Sequence, residues 1–361
     1  MSPMEFHYEY SPIVDRKPLK WPNDARIAVV LTVNVECWDP VPEKGKLSYP
    51  GGPNLLPIPL PEGVPDWVNH TWREYGHRVG IWRILEVFDQ HQIQATATLN
   101  TSLGKRFPRI LDELKKRDWE LVAHSRVEND LLVNFTGDRE AEKAYIQATL
   151  AEYEEVVGRK AKGWLSPSVS PTVHTLGILV EEGIEFFCDF VNDDQPYPIQ
   201  VGSKQILSIP YTTEINDYPL FMRHFHSPQT VFEIVQAQFD TLYREGEVSG
   251  RMMNVGLHPH VVGQPFRISM LDRILTYMTG SGKSLVHQSR GDRSLVSGQL
   301  SQLNTVARGD EEAGEKSDQE SGPAPDGHGR RGWGLGNPGL EFPNAHLYSP
   351  GPLADLSGYD Q

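Results

Sequence analysis

The run Ile27–Val33 constrains the fold of this chain of 361 residues more than any other segment. It is aliphatic throughout except for Thr32, so it lacks the alternation of apolar and polar residues that a half-solvated strand shows. An unbroken apolar run of this kind is typical of a strand that is buried on both faces. Such strands occur mainly in parallel sheets covered by helices, so the run predicts an α/β fold.

Strand-like and helix-like patterns alternate between about Lys20 and Thr279. The strand-like segments are Ile27–Val33, Ala95–Leu99, Glu120–Ala123, Phe186–Val191, Ile206–Pro210 and Met253–Leu257. The helical segments are Val79–Gln90, Pro108–Lys116, Arg139–Val157, Thr172–Glu182, Thr230–Arg244 and Ile268–Met278. This alternation predicts parallel strands joined by crossover helices, and hence a barrel or distorted barrel. The Pro- and Gly-rich stretch Trp38–Pro65 is too long for a plain connector, which predicts a functional loop over the site.

The chain divides into three predicted parts, which are an arm (residues 1–19), a folded domain (20–280) and a tail (281–361). The tail is rich in Gly, Ser, Pro and charge without apolar periodicity, a composition that predicts disorder. Gly280–Ser284 resembles part of a phosphate-binding loop, and Gly334–Gly339 matches a dinucleotide-binding pattern. Neither follows a predicted strand, so neither is expected to bind a nucleotide.

Composition and charge exclude several classes of partner. The formal net charge of −14 argues against nucleic acid or an anionic membrane surface. No apolar run is long enough for a transmembrane helix, and the first fifteen residues lack the pattern of a signal peptide. The two cysteines, Cys37 and Cys188, imply no disulfide framework. We therefore expect a cytoplasmic protein that acts on a small molecule.

Polar side chains cluster at the ends of three predicted strands. Asn34–Glu36 follows the first strand, His124–Glu128 follows the strand Glu120–Ala123, and Gly256–His260 ends the late strand. The carboxyl ends of parallel strands meet at one edge of a sheet or barrel, which is where such folds place catalytic groups. Two imidazoles among these residues titrate near neutral pH. The three strand ends therefore predict an active site.

Short motifs run in a recognisable order through residues 20–279. They are Asn34–Glu36, Tyr75–Leu85, Ala123–Ser125, Gly163–Trp164, Ser170–Pro171, Cys188–Asp189 with Asp193–Asp194, Pro210–Tyr211 with Asn216–Asp217, and Gly256–His258 with Val262–Gly263. In this order they resemble the polysaccharide deacetylase (NodB-homology) superfamily. The block Arg78–Leu85 resembles its branch of metal-independent, PuuE-type allantoinases and related cyclic imidases. The resemblance implies a deformed (β/α) barrel and assembly into a homo-oligomer, namely a tetramer.

Two residues are the predicted catalytic pair of an amide hydrolase. Hydrolysis requires an activated water and an acid for the leaving nitrogen. Glu36 is the candidate for activating water, because burial at a strand end is expected to raise its pKa toward neutrality. His258 matches the superfamily's C-terminal catalytic histidine, which implies the role of general acid. The structural alternatives are a carboxylate paired with an arginine and a histidine bonded to a backbone carbonyl.

The residues leave open whether a metal is bound. His124 and Glu128 lie where metal-dependent relatives carry two histidines four residues apart, on what is expected to be one helical turn. With Glu36 they form a possible three-ligand zinc site. The second histidine is Glu here, the paired aspartates of the usual first motif are absent, and the branch resembled works without metal. In the metal-free alternative, His124 and Glu128 bind the substrate.

Further residues are predicted to bind substrate. They are Asn34, Trp38, Arg126, Asp193, Asp194 and His260. The resemblance implies an arginine in the third motif that orients the catalytic carboxylate, but Leu165–Ser168 lacks it, which leaves Arg126 or Arg223 as candidates. Asp189, Asp193 and Asp194 are candidates for holding His258 in its productive tautomer.

The leading interpretation is a hydrolase of non-peptide carbon–nitrogen bonds in a small cyclic or linear amide, such as a ureide or imide. One alternative is an N-deacetylase of an acetylated sugar. The other is a non-catalytic binding protein that retains the barrel. The missing arginine and the altered metal set are the features that favour this last alternative.

The tail carries a separate hypothesis about the coding sequence. The superfamily ends in a strand and helix of the type Val-Trp-Phe followed by Glu-Glu-Ile-Ala. The segment Ser284–Val296 can be back-translated so that a shift of one base reads Val-Trp-Phe-Ile-Asn-Arg-Glu-Glu-Ile-Ala-Ala-Trp. A frameshift near Gly280 would explain this. Coding DNA in which no single-base shift restores such an ending would exclude it.

Overall fold

The computed structural model describes residues 10–41 and 63–286, together with residues 8, 45, 46 and 61. The predicted tail from residue 287 onward and the Gly334–Gly339 motif lie outside the described residues. So do most of the predicted loop Trp38–Pro65 and the first residues of the predicted arm. Gly280–Ser284 is described, and it leads out of a helix into a strand, which is the reverse of a phosphate-binding loop.

The described chain forms one sheet with helices between its strands. The strands are β1 (Ile27–Val35), β2 (Thr96–Leu99), β3 (Glu120–Ala123), β4 (Gly163–Trp164), β5 (Phe186–Phe187), β6 (Tyr197–Val201), β7 (Lys204–Ser208), β8 (Arg251–Leu257) and β9 (Ser284–Val286). The helices are α1 (Trp67–Tyr75), α2 (Ile81–Gln90), α3 (Ser102–Arg106), α4 (Pro108–Lys116), α5 (Arg139–Val157), α6 (Thr175–Glu181), α7 (Pro228–Glu245) and α8 (Pro265–Thr279).

The strand order is β6-β7-β5-β4-β3-β2-β1-β8, with β9 also paired to β1. Every pairing is parallel except that of β6 with β7. The predicted parallel strands and crossover helices are therefore confirmed for most of the sheet. Among the described residues, no helix is both long and apolar enough to cross a bilayer.

Strand β1 is the centre of the fold, and every one of its residues is buried. Its odd-numbered side chains, among them Ile27 and Val33, join the large core that the helices cover. Ala28 and Val30 point to the other face, where side chains from neighbouring strands form a second core. Burial on both faces is what the unbroken apolar run predicted, and it leaves the end of β1 as the point where polar groups can meet.

Three strands, β4, β6 and β9, were not among the predicted strands. β6 is an antiparallel edge strand, and it contains Pro198, which lacks the N–H of a central strand and is tolerated at an edge. β9 lies beyond position 280, where the tail was predicted to begin, and pairs with Ile27–Val29 of β1. Since β8 occupies the other edge of those residues, β9 extends the sheet on the side of β2.

A π-helical turn between α1 and α2 supports the end of β8. It spans Gly76–Gly80. A Cβ atom on Gly80 would lie 1.9 Å from the carbonyl oxygen of Pro259, and one on Gly76 would lie 2.8 Å from the backbone nitrogen of His260. Only glycine permits this approach, so the two glycines fix the backbone just after His258.

Candidate active site

The candidate active site lies where the carboxyl ends of β1, β3 and β8 meet. Glu36 follows β1, His124 follows β3 and His258 follows β8. These strands lie close together in the sheet, with β1 between β8 and β2 and with β2 beside β3. The structure thus brings together the three strand ends that the sequence singled out.

Glu36 is the buried centre of this group. Its Oε1 lies 3.3 Å from Nε2 of His258 and 3.9 Å from Nε2 of His124. Burial by itself raises the pKa of the carboxyl, but the charge of His258 and the contacts with both histidines outweigh burial and hold the pKa well below its usual range. We expected a raised pKa from burial alone, and the two imidazoles reverse that direction. Glu36 is therefore ionised at neutral pH.

His258 is held by an aspartate that the sequence analysis assigned no role. Asp217 accepts a hydrogen bond from Nδ1 of His258 at 2.6 Å with one oxygen and from the backbone N–H of His258 at 2.8 Å with the other. Nδ1 therefore carries a proton and Nε2 faces Glu36. Burial lowers the pKa of His258, but the charges of Glu36 and Asp217 raise it to about 10. The imidazole is thus a cation at neutral pH.

His124 and Glu128 form the opposite wall of the group. Nδ1 of His124 donates to the carbonyl of Leu165 at 2.6 Å, so its Nε2 faces Glu36 and Glu128. Burial lowers the pKa of His124, but the charge of Glu128 raises it well above the usual value. The spacing of four residues does not reflect a helical turn, because this segment is a loop in which Ser125 has a φ of 58°. Loop geometry brings the two side chains together instead.

The three residues fit a divalent metal. One ligand atom from each of Glu36, His124 and Glu128 lies within 4.8 Å of the others. The ligand atoms of a tetrahedral zinc ion lie about 3.3 Å apart. Nε2 of His124 lies 3.9 Å from Oε1 of Glu36 and 2.8 Å from Oε2 of Glu128, so the two distances fall on either side of this spacing. Oε2 of Glu128 is buried and makes no hydrogen bond of good geometry among the described residues. A buried lone pair of this kind suits a metal.

Replacing His124 with alanine tests this fit. If the protein binds zinc through these residues, His124→Ala should lower zinc affinity by at least about tenfold, since even the loss of supporting groups costs that much. Metal content after dialysis and isothermal titration with zinc measure the change. Equal zinc binding by wild type and His124→Ala would exclude His124 as a ligand, and a raised KM would then support the substrate-binding alternative.

A cavity of about 170 Å³ opens above these groups. Its described lining comprises Asn34, Glu36, Trp38, His124, Glu128, Leu165, Ser168, Val169, Tyr211, Thr213, Asn216, Tyr218, Pro219, Arg223 and His258. Asn34 donates from its amide to the hydroxyl of Tyr211 at 2.7 Å and accepts from Thr98 at 2.8 Å, so its orientation is fixed. The guanidinium of Arg73 lies 3.8 Å from the centroid of the Trp38 ring and supports that wall. Asn34 and Trp38 thus lie at the predicted site.

Three predicted substrate-binding residues lie away from this lining. Arg126 is exposed and its Nε pairs with Glu152 at 3.0 Å. Asp193 forms a two-point ion pair with Arg16 at 2.8 and 2.6 Å. Asp194 is exposed, and its backbone carbonyl accepts from the N–H of Met252 in β8 at 2.8 Å. Their proximity in sequence to strand ends suggested a role at the site, but each side chain turns toward another part of the surface.

His260 also lies outside the cavity lining. It is buried, and its ring packs edge-on against Trp72 with centroids 4.6 Å apart. Burial and the nearby charge of His258 hold the pKa of His260 well below its usual value. Because the strand ends at Leu257, the two histidines do not share a face, and only His258 reaches Glu36.

The sequence analysis missed three functional candidates. Asp217 and Tyr211 belong to motifs that it quoted without assigning them roles, and Arg73 precedes the block that begins at Tyr75. Arg223, one of two arginines proposed to act at the site, does line the cavity. The residues proposed for holding His258, including Asp189, are replaced in that role by Asp217. The order of the motifs was the only signal available for Asp217.

Comparisons with known proteins bear on the fold of this chain. No protein-family model matches the chain. The chain is 26% identical over 288 residues to a Schizosaccharomyces pombe protein that is named as a polysaccharide deacetylase, covering 74% of this chain and 88% of that protein. The crystal structure of a PuuE allantoinase superposes with a TM-score of 0.66 at 25% identity, covering 76% of this chain and 91% of that one.

This chain has the NodB-like fold of the polysaccharide deacetylases. A probable polysaccharide deacetylase from Pseudomonas aeruginosa shares it, with a TM-score of 0.65 at 24% identity over 74% of this chain and 90% of that one. The prediction of a deformed (β/α) barrel is confirmed as a mixed α/β half-barrel. The chain is thus similar in sequence and fold to proteins named as polysaccharide deacetylases and to an allantoinase.

Proposed function

We propose that this protein hydrolyses a non-peptide carbon–nitrogen bond in a small cyclic or linear amide of the ureide or imide type. The observation that carries the proposal is the arrangement around Glu36. Its Oε1 lies 3.3 Å from Nε2 of His258, whose other ring nitrogen is held by Asp217. An ionised carboxylate and a protonated imidazole at this separation are the base and acid that amide hydrolysis needs.

The proposed reaction uses each group once. The carboxylate of Glu36 takes a proton from water as the oxygen attacks the carbonyl carbon. Nε2 of His258 donates its proton to the leaving nitrogen as the carbon–nitrogen bond breaks, which opens the ring of a cyclic substrate. Glu36 then carries the proton taken from water and His258 lacks one, and the Oε1–Nε2 distance of 3.3 Å lets the proton of Glu36 pass to the imidazole and restore both groups.

If a divalent metal is bound, it would add to the chemistry of this scheme. Glu36, His124 and Glu128 are the residues that would hold it, and the ion would supply Lewis-acid polarisation of the substrate carbonyl or a more acidic water. Without metal, His124 and Glu128 would provide hydrogen bonds to the substrate. Glu36 is the base in the metal-free scheme and a metal ligand in the metal-dependent scheme. The effect of a chelator on activity therefore distinguishes the two schemes.

The size and lining of the cavity support a small substrate. A volume of about 170 Å³ suits a single small ring better than a chain of sugars. Trp38 and Tyr218 offer flat aromatic walls, while Asn34 and Thr213 offer polar contacts. The similarity to a PuuE allantoinase also supports a ureide. A second candidate, N-deacetylation of a sugar, is favoured by the relatives that are named as polysaccharide deacetylases.

A substrate panel tests the proposal. Purified full-length protein is incubated with small ureides and imides, and separately with N-acetylglucosamine oligomers, each with and without chelator. We expect ring opening of at least one ureide or imide and no acetate release. Acetate release alone would transfer the protein to the sugar deacetylases, and loss of ring opening with chelator would show metal dependence. Inactivity in both arms would favour a binding protein.

Replacing Asp217 with asparagine is expected to change the pH profile. His258 acts as a cation, so kcat/KM is retained below its pKa and is lost as the pH rises through that value, which is about 10 in the native protein. Asp217→Asn removes a charge that raises this pKa, so the alkaline limit should move to lower pH and kcat should fall by about 10²-fold. Asp193→Asn, which alters a part-buried ion pair with Arg16 away from the cavity, should keep the native profile. An unchanged alkaline limit in Asp217→Asn would exclude His258 as the acid.

A further inference from the structure

A short segment after β4 touches both His124 and Glu128. This segment, Leu165–Val169, is called the β4 turn below. The carbonyl of Leu165 accepts from Nδ1 of His124 at 2.6 Å. The backbone N–H and the hydroxyl of Ser168 donate to Oε1 of Glu128 at 2.8 and 3.2 Å.

The contacts with the β4 turn engage one of the two polar side-chain atoms of His124 and one of the two of Glu128. With Nδ1 of His124 committed to a carbonyl, only Nε2 can face the site. With Oε1 of Glu128 committed to Ser168, only Oε2 can do so, and it lies 2.8 Å from that Nε2. The β4 turn therefore determines which atom of each side chain is presented to the cavity.

The β4 turn is itself anchored by a buried carboxylate. Asp189, which follows β5, accepts from the backbone N–H of Ser166 at 2.6 Å and from its hydroxyl at 2.5 Å. The indole N–H of Trp164 donates to the same hydroxyl at 3.0 Å. Ser166 is fully buried and Asp189 nearly so. These three contacts fix the start of the turn and, with it, the carbonyl of Leu165.

The backbone of the β4 turn is strained at the point that meets Glu128. Ser168 has a φ of 53° and Val169 a φ of 51°. A β-branched residue rarely adopts this left-handed conformation, which persists only where the surroundings impose it. The conformation directs the N–H of Ser168 to Glu128. Strain of this kind, next to ligand-type side chains, is typical of a functional site rather than an ordinary connector.

We propose that Asp189 and Ser168 are positioning residues, which act through the β4 turn to hold Nε2 of His124 and Oε2 of Glu128 as a preassembled pair of ligand atoms for a divalent cation. The assignment of these side chains to the active site rests on the proposed function. The positioning role can be tested separately from the proposed function, because it predicts changes in cation affinity whether or not any tested amide is hydrolysed. Supporting contacts of this type commonly change metal affinity by about 10- to 100-fold.

Cobalt(II) is the probe for this proposal, since its visible absorption spectrum reports the geometry of its ligands. Full-length protein is stripped with chelator, dialysed and titrated with cobalt. We expect Asp189→Ala to raise the cobalt Kd by about 10- to 100-fold and to change the spectrum of the bound ion. Ser168→Ala keeps the backbone N–H donor, so we expect a smaller rise, of severalfold. Ser168 is exposed, so Ser168→Ala is expected to fold even if Asp189→Ala does not.

Glu142 offers a matched control. It is fully buried and accepts hydrogen bonds from Thr172 and Thr175 at 2.5 Å each, and among the described residues its side-chain hydrogen bonds do not reach the β4 turn or the site. Glu142→Ala should lower the melting temperature and leave the cobalt Kd unchanged. The proposal is overturned if Asp189→Ala and Ser168→Ala bind cobalt like the native protein, or if the native protein binds none. Turnover in the substrate panel decides the proposed function independently of these titrations.

Discussion

Glu36→Gln is expected to remove nearly all hydrolysis, lowering kcat/KM by about 10³- to 10⁴-fold for any substrate the native protein turns over. The amide of glutamine keeps the size of the side chain but cannot take a proton from water. It also removes a charge that, with Asp217, raises the pKa of His258 and that adds to the larger effect of Glu128 on His124, so the pKa of both imidazoles should fall. Base and acid are therefore weakened by one change, which is why the expected effect is the largest.

The measurement is steady-state turnover with the best substrate of the panel, accompanied by circular dichroism of the variant. Glu142→Gln serves as the control, because it makes the same substitution at another buried glutamate, which lies in a structural network with Thr172 and Thr175. Turnover in Glu142→Gln should resemble that of the native protein at a temperature where both are folded. Native-like turnover in Glu36→Gln would remove Glu36 from the chemistry altogether.

His258→Ala is expected to lower kcat by about 10²- to 10⁴-fold, with an effect that depends on the leaving group. Poor leaving nitrogens need a proton as the bond breaks, whereas an activated amide leaves without one. The ratio of rates between an activated and an ordinary amide should therefore rise in His258→Ala. Rapid kinetics on the two substrates, at a pH well below 10, measures this ratio.

His260→Ala is the comparison for this variant. His260 is a neighbouring buried imidazole that packs on Trp72 and does not line the cavity. We expect His260→Ala to reduce the stability of the protein but to keep the native dependence of the rate on the leaving group. If His258→Ala reduces both substrates equally and His260→Ala does the same, His258 supports the structure of the site rather than protonating the leaving nitrogen.

Most of the sheet could be predicted from local patterns. The predicted bounds of β3 and α5 match the structure and those of β1 are two residues short, because burial of these residues depends mainly on their own side chains. β5 and β6 were predicted poorly. β5 is only two residues long, and β6 is a partly exposed edge strand whose existence depends on its pairing with β7.

The residues of the candidate site also divide into those that the local sequence predicts and those that it does not. Glu36, His124 and His258 were identified because each follows a buried strand, and parallel strands place their ends at one edge. Asp217 was not assigned a role, because it lies at the start of a short helical segment rather than at a strand end and is separated from His258 by 41 residues. Arg126 and Asp193 follow strand ends as well, but side chains on loops turn toward whichever partner lies near, here Glu152 and Arg16.

The sequence alone determined that this chain forms a parallel α/β sheet with acid and imidazole groups at the exits of β1, β3 and β8. Those features follow from hydrophobic periodicity and from the direction of the chain in a parallel sheet. Only the tertiary structure decided the charge state of Glu36, the partner of His258 and the atoms that His124 and Glu128 present. These depend on distances of about 3 Å between residues far apart in the chain, where electrostatic and hydrogen-bond energies change steeply with position.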